Sequence, residues 1–320
     1  MPCLDPSTIA AFRYLSQGRY SDARKCALDA VTKDISKKNA SIVDDLARDL
    51  ERNRIDLLLE RCRGAARVEH TEETFDEGLY VATEQSEQLT GRIRTLLRAR
   101  DELTARNIPY RASVLLYGPT GTGKTEYSRY LAHSLGLPLV TVSLARLIDS
   151  YLGKTGQNLA NVFDAVGGED CVLFLDELDA IAVRRGKGDS SSASKELENT
   201  TIILMQLLDA LPTGTLVIAA TNREQDIDPA VLRRFQVRER MRPLTAPEAR
   251  EIVSKLSTRA EVPFDEADLD AYLAGRGALT AAAVSSDAVE AIAAALIGGS
   301  DAHIKAPEGD GLRVVSRGGR

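Results

Sequence analysis

This sequence predicts an α/β fold: a parallel sheet flanked by helices, with a small helical domain before it and a helical appendage after it. Three observations carry that expectation. Four short apolar runs, Ser113–Tyr117, Leu139–Ser143, Cys171–Leu175 and Leu216–Ala220, alternate with stretches of helical periodicity, as strands do when helices cover both faces of their sheet. A glycine-rich loop, Gly118–Gly123, joins the first run to a helical stretch. After Pro243 the apolar runs stop and only helical patterns follow.

In chain order, residues 1–66 read as helices. Asp5-Pro6-Ser7-Thr8 is a helix start, with Ile9, Phe12 and Leu15 or Ser16 tracing one face, and Gly18 breaks the helix. Tyr20, Ala23, Ala27, Ala30 and Val31 continue as a second helix. Ile42, Val43, Leu46, Leu50, Ile55, Leu58 and Leu59 mark a third between residues 40 and 63. So small a bundle has a marginal core, and the expectation is that it leans on a neighbour or recruits a target or partner. Residues 67–83 lack periodicity and carry Glu69, Glu72, Glu73, Asp76 and Glu77, which reads as an acidic linker. A charged helix from Glu84 to Arg106 leads into the α/β region, 84–243. Its arginines, Arg92, Arg94, Arg98, Arg100 and Arg106, read as a solvated or intersubunit face rather than a nucleic-acid groove. Residues 244–298 are helical, with helices over Pro247–Leu256 and Ala281–Ile297, and 299–320 read as a flexible glycine-rich tail.

Composition narrows the function classes. The chain of 320 residues has room for about two domains. With 43% apolar and 28% charged residues it can bury an ordinary core. A formal charge of −6 gives no net attraction to phosphate backbones or anionic lipid, which argues against nucleic acid as a partner. Cys3, Cys26, Cys62 and Cys171 lie far apart without paired spacing, which fits reduced thiols in a cytoplasm rather than a disulfide framework or zinc cage. No apolar run of membrane-spanning length and no signal pattern is read from the sequence, so the expectation is a soluble cytoplasmic protein without a membrane span. His70, His133 and His303 are isolated and suggest no metal site.

The chemistry concentrates in two motifs. Gly118-Pro119-Thr120-Gly121-Thr122-Gly123-Lys124-Thr125 fits the P-loop pattern, with a strand before it and a helix after it. Glycines let backbone N–H groups curl around phosphate, and the helix N-terminus adds partial positive charge. Lys124 is expected on the β- and γ-phosphates of ATP and the Thr125 hydroxyl on Mg²⁺. Val172-Leu173-Phe174-Leu175-Asp176-Glu177 is an apolar strand ending in two carboxylates. Asp176 is expected to hold Mg²⁺ through water, and Glu177 to polarise the attacking water as general base.

With GPTGTGKT, SYLGKTGQNLANVFDAV, VLFLDELDAIAVRR, VIAATN and IDPAVLRRF in this order, the segment from Glu84 to Ile297 resembles one AAA+ module. It is similar to the spastin, katanin and proteasomal-ATPase branch, and still more to compact single-module bacterial ATPases. The N-terminal helices resemble, more loosely, those of bacterial ATPases encoded beside subtilisin-like proteases. The resemblance implies a P-loop NTPase fold with a C-terminal helical lid, ATP hydrolysis, and assembly into a homo-oligomeric, hexameric ring. It assigns Asn222 as the sensor that orients the lytic water. Arg233 and Arg234 match arginine fingers acting on the adjacent subunit's γ-phosphate. Tyr151-Leu152-Gly153 matches the aromatic loop that faces a central pore, and Arg184–Ser194 takes the place of a second pore loop.

Two departures stand out. Glu198 and Asn199 replace basic residues that many relatives carry, and Ala281 replaces a glycine in the lid segment Gly277–Ala282. The leading expectation is a ring ATPase that remodels, unfolds or translocates protein substrates through its pore. The alternatives are a nucleotide-dependent switch controlling a partner enzyme such as a protease, and a DNA-associated loader.

Overall fold

The computed structural model describes residues 5–16, 23, 26–30, 33, 62, 64–108, 110–150, 155–167, 169–182, 192–211, 215–298 and 301–304. The chain divides into two compact units: Met1–Phe75, Thr90–Tyr117 and Ser128–Glu239 in one, and Asp76–Leu89, Gly118–Tyr127 and Arg240–Arg320 in the other.

The first unit is built on the sheet. Its strands are β1 (Arg67–Glu69), β2 (Ser113–Tyr117), β3 (Leu139–Ser143), β4 (Val172–Asp176), β5 (Leu216–Thr221) and β6 (Val237–Arg240), in the order β1-β3-β4-β5-β2-β6. The strands β3, β4, β5 and β2 pair in parallel. They are apolar along nearly their whole length because both faces are covered; Leu115, Val140, Leu173, Phe174, Leu175 and Ile218 are fully buried. The helix Thr155–Val166 presents Leu159, Val162, Phe163 and Val166 to this core. The helix Ser192–Ala210 adds Leu204 and Leu208, while Glu198 and Asn199 face solvent.

The acidic stretch 67–83 is not merely a linker. β1 pairs antiparallel with β3, Arg67 opposite Thr141 and Glu69 opposite Leu139. Glu69, which composition alone assigns to solvent, is 7% exposed and meets Arg129 at 2.6 Å and the Thr74 hydroxyl at 2.7 Å. Burial pushes its carboxyl up, but the bonds from Arg129 and Thr74 outweigh that and hold it below the usual range. Phe75 is buried against His133 and beneath the Arg129 guanidinium. A three-residue strand is too short for periodicity to show it.

Of the N-terminal helices, Pro6–Ser16 forms as expected, though Ile9 and Phe12 are exposed rather than packed. The Ser7 hydroxyl donates to Asp29, which also pairs with Lys33. The helix expected between residues 40 and 63 lies outside the described residues. Four of the five arginines on the helix Glu84–Ala105 and just beyond bond within the chain: Arg92 to Glu239, Arg94 to the Ser134 carbonyl, Arg100 to Asp101 and Arg106 to Glu102.

The second unit is helical apart from the loop it contains. Its helices are Ala246–Ala260, Glu266–Gly275 and Ala281–Gly298. Thr245 and Glu248 form a capping box at the start of the first, with Pro247 in its first turn. Asp265 caps the second by accepting from the Asp268 N–H. The core gathers Val253, Leu269, Tyr272, Val284, Ala288 and Ile292. Three boundary expectations change here. Val81, assigned to the linker, is buried in this core, and Asp76 from the same stretch pairs with Arg259 at 2.8 Å on the surface. Ala302 and Ile304, assigned to a flexible tail, are buried as well, with Ala302 bridging to Phe264. The unit begins again at Arg240 rather than after Pro243.

The helix Ala281–Gly298 is interrupted by Ser285, Ser286, Asp287 and Glu290, yet passes a length-and-hydropathy test for a membrane span. Its 18 residues have a mean hydropathy of 1.5, sufficient by length and composition to cross a membrane. Alanine supplies much of that hydropathy, so no run of large apolar side chains announces it. Val284, Ala288, Ala291, Ile292 and Ala295 are its buried face.

Candidate active site

Parallel strands deliver their ends to one edge of the sheet. Tyr117 lies opposite Thr221, and Ser143 opposite Asp176, so β2, β3, β4 and β5 all finish there. Asp176 ends β4, and its Oδ1 accepts from the Glu177 N–H at 2.9 Å. Glu177 is exposed and adopts a left-handed conformation, φ 59° and ψ 48°. That is a strained backbone for a residue with a side chain, costing on the order of 1 kcal/mol. It turns the chain sharply from β4 into the single 3₁₀ turn Leu178–Ala180. The Ser143 hydroxyl donates to Glu177 Oε2 at 3.0 Å, which orients one oxygen of the carboxylate. Asn222 follows β5 directly, is exposed, and makes no side-chain hydrogen bond among the described residues.

The glycine-rich loop follows β2 in the chain and is clustered with the helical unit. Gly118, Gly121 and Gly123 all have positive φ, 135°, 81° and 87°. At Gly118 a side chain is excluded twice over, because a Cβ there would lie 2.5 Å from the Met241 carbonyl oxygen. The Thr122 hydroxyl donates to the Pro119 carbonyl at 2.9 Å. Lys124, 8% exposed, donates from Nζ to the carbonyls of Gly118 and Pro119 at 2.9 and 2.8 Å. Its ammonium is thus held inside the curve of the loop. Thr120 and Thr125 are exposed, and Thr125 lies in the first turn of the helix Lys124–Ser134. Three positive-φ glycines, a lysine folded inward and a helix N-terminus fit a polyphosphate. The Thr125 hydroxyl and Asp176 carboxylate are oxygen donors of the kind Mg²⁺ takes.

The loop is also tied to the lid segment of its own unit. The Ala282 N–H donates to the Gly121 carbonyl at 3.1 Å, and a Cβ on Gly121 would lie 3.1 Å from Thr280 Oγ1.

Arg233 and Arg234 stand elsewhere. Asp228 caps the short helix Pro229–Leu232 by accepting from the Ala230 N–H, and the two arginines follow. The Arg234 carbonyl accepts from the Ser113 hydroxyl at 2.9 Å, which fixes this segment at the first residue of β2, the amino edge of the sheet. The two side chains differ. Arg234 pairs with Asp209 at 2.8 Å and donates to the Ala230 carbonyl at 2.7 Å; Asp209 is shared with Arg111 at 2.9 Å. Arg233 is exposed and makes no side-chain bond among the described residues. Both line a cleft of about 640 Å³ with Arg111 and Gln236.

Residues 114–243 match the ATPase family associated with various cellular activities (AAA). The uncharacterized AAA family ATPase y4kL of Sinorhizobium fredii is 40% identical over 147 residues, covering 46% of this chain and 43% of that protein. The ATP-dependent zinc metalloprotease FtsH 3 of Sphaerobacter thermophilus is 32% identical over 240 residues, 73% of this chain and 48% of that protein. The 26S proteasome subunit RPT4 of Saccharomyces cerevisiae is 34% identical over 168 residues, 52% of this chain and 38% of that protein. Residues 114–243 are an AAA-family ATPase domain. This chain spans less than half the length of these three relatives.

Within the AAA domain the sheet brings Asp176, Glu177 and Asn222 to one edge and sets Arg233 and Arg234 at the other. The eight loop residues from Gly118 to Thr125 form one turn in the helical unit. Tyr151, Leu152 and Gly153 lie outside the described residues, as does most of Arg184–Ser194. Sequence reasoning missed Ser143, Asp179 and Asp209 as companions of the site. Asp179 carried a signal, as the second aspartate of Leu175-Asp176-Glu177-Leu178-Asp179. Ser143 and Asp209 carried none, since both are common polar residues at the end of an element.

Proposed function

We propose that this chain hydrolyses ATP as a subunit of a homo-oligomeric ring, hexameric by resemblance, and uses the cycle to remodel protein substrates. In this reading the Gly118–Thr125 loop binds the triphosphate, with Lys124 on its β- and γ-phosphates. Thr125 and Asp176 are the residues that would hold Mg²⁺, which would supply screening of phosphate charge. Glu177 takes the proton of the attacking water, and Asn222 orients that water without competing for the metal.

The observation that carries the ring is the position of the arginine pair. Arg234 is anchored beside Ser113, whereas Asp176, Glu177 and Asn222 sit at the opposite end of the strands. Five residues of strand separate the two edges, about 13 Å at 3.3 Å per residue. An arginine held there cannot serve the catalytic edge of its own sheet, but it suits a neighbouring copy's site. Of the two, the exposed Arg233 is the finger, while Arg234 is occupied by Asp209. Protein as the substrate is supported by relatives named as a metalloprotease and a proteasome subunit. The tyrosine-containing Tyr151–Gly153 segment gives that substrate an apolar grip.

The test is phosphate release together with nucleotide binding in two variants. Lys124→Ala is expected to lose binding. Glu177→Gln is expected to bind ATP and stall, trapping its protein target. Wild-type turnover by Glu177→Gln would overturn the catalytic scheme. In Tyr151→Ala, preserved hydrolysis with lost action on the trapped target supports remodelling; preserved action on that target would favour a regulatory switch.

A further inference from the structure

The residues read as acting on water, Glu177 and Asn222, sit on two separate turns, one after β4 and one after β5. Neither is held by its own side chain alone. Asn222 has no side-chain bond among the described residues, and the exposed Glu177 has one, from the Ser143 hydroxyl on β3, outside both turns. One hydrogen bond joins the two turns. The Thr221 hydroxyl donates to Asp179 Oδ1 at 2.7 Å, while its oxygen accepts from the Arg223 N–H at 3.0 Å. Thr221 is 1% exposed. Asp179 is two residues after Glu177, inside the 3₁₀ turn that the left-handed Glu177 initiates, and Thr221 immediately precedes Asn222.

We infer that Asp179 and Thr221 form a clamp that sets the spacing of Glu177 and Asn222, and so are positioning residues for ATP hydrolysis. Three features make the clamp stiff. The threonine hydroxyl spans Asn222, bonding forward to the Arg223 N–H, so the backbone around the amide is fixed on both sides. Its acceptor is a carboxylate, and charge-assisted bonds are about twice as strong as neutral ones. The turn carrying the carboxylate is itself closed by the Ala180 N–H on the Glu177 carbonyl at 2.8 Å and the Ala182 N–H on the Leu178 carbonyl at 3.0 Å. A carboxylate and a hydroxyl are needed because two apolar groups at this spot would pack without fixing a direction. Displacing a catalytic group by about 1 Å can cost ~100-fold in rate, so the clamp acts on kcat while leaving phosphate binding alone.

The inference rests on the reading of Asn222 as the water-orienting residue, and the experiment separates the two. Phosphate release and the affinity for a fluorescent ATP analogue are measured for Thr221→Val, Thr221→Ser, Asn222→Ala and the double variant Thr221→Val/Asn222→Ala. Thr221→Val is expected to lower kcat about 10- to 100-fold with affinity changed by no more than about threefold. Thr221→Ser, which keeps the hydroxyl, restores most of kcat. Because the clamp works through Asn222, the double variant is no slower than the slower single one. Wild-type kcat in Thr221→Val, or multiplicative losses in the double variant, would overturn the clamp while Asn222 keeps its role. Unchanged turnover in Asn222→Ala would instead overturn the role of Asn222, and the clamp with it.

Discussion

If a neighbour completes each site, two inactive variants must rescue one another. Arg233→Ala keeps Lys124, Asp176 and Glu177 but lacks the finger; loss of a trans arginine is worth on the order of 10³-fold or more. Glu177→Gln keeps Arg233 but lacks the base. Each is expected to bind ATP and to be silent alone. In the proposed ring the amino-edge anchoring of the arginine segment sets a polarity: a competent site would draw its loop and carboxylates from one copy and its arginine from the next. In a randomly mixed ring at equal proportions, half of the loops belong to Arg233→Ala copies, and half of those face a Glu177→Gln neighbour. About a quarter of the wild-type rate is therefore expected, falling off symmetrically as the ratio departs from equality. The assay is steady-state phosphate release across mixing ratios, with sizing to demonstrate mixed oligomers. Demonstrated mixed rings with no activity above the separate variants would refute assembly in trans, as would wild-type turnover by Arg233→Ala alone.

Other substitutions probe the fold around the site. Arg129→Ala strands the buried Glu69 carboxylate, and should cost about 3 kcal/mol in urea unfolding. Gly118→Ala forces a side chain against the Met241 carbonyl at φ 135°, and should cost about 2 kcal/mol or more in unfolding while abolishing nucleotide binding in a fluorescence titration. Glu248 is held down to about 2 by its bonds from Arg242 and Thr245, against the opposing pull of burial. A depressed carboxyl stabilises the fold above its unfolded value of 4.5 and loses that contribution as pH falls toward 2. Glu248→Gln should therefore be about 2 kcal/mol less stable than wild type at pH 6, allowing for the exposure of Arg242, and the difference should shrink by pH 3.

The candidate site of this protein was legible because its constraints are local. A glycine loop that must expose backbone N–H groups, and a strand that must end in carboxylates, leave fixed residue types at fixed spacing, and Gly118–Thr125 and Asp176-Glu177 show both. The four parallel strands were legible for a similar reason, since burial on two faces makes them apolar throughout. What stayed hidden depends on partners far apart in sequence. β1 is three residues long, and its Glu69 looks like solvent-facing charge until Arg129, 60 residues later, is brought beside it. The separation of Arg233 from Arg234 is equally invisible, because it is made by Asp209 on another element. Ala302 and Ile304 were lost to a glycine-rich tail whose composition concealed two residues the helical core needs.

The bond from the Ala282 N–H to the Gly121 carbonyl ties the glycine-rich loop to the start of a long helix. Ala282 lies in the first turn of a helix of 18 residues, about 27 Å long. A side chain at Gly121 would begin 3.1 Å from Thr280 Oγ1 and 3.2 Å from Ala282 Cβ, so glycine is what lets the loop approach this helix start. The far tip of the same helix carries Leu296 and Ile297, two apolar side chains that face outward. One continuous element thus runs from the glycine-rich loop to an apolar tip, and any tilt of that helix would be registered at both ends.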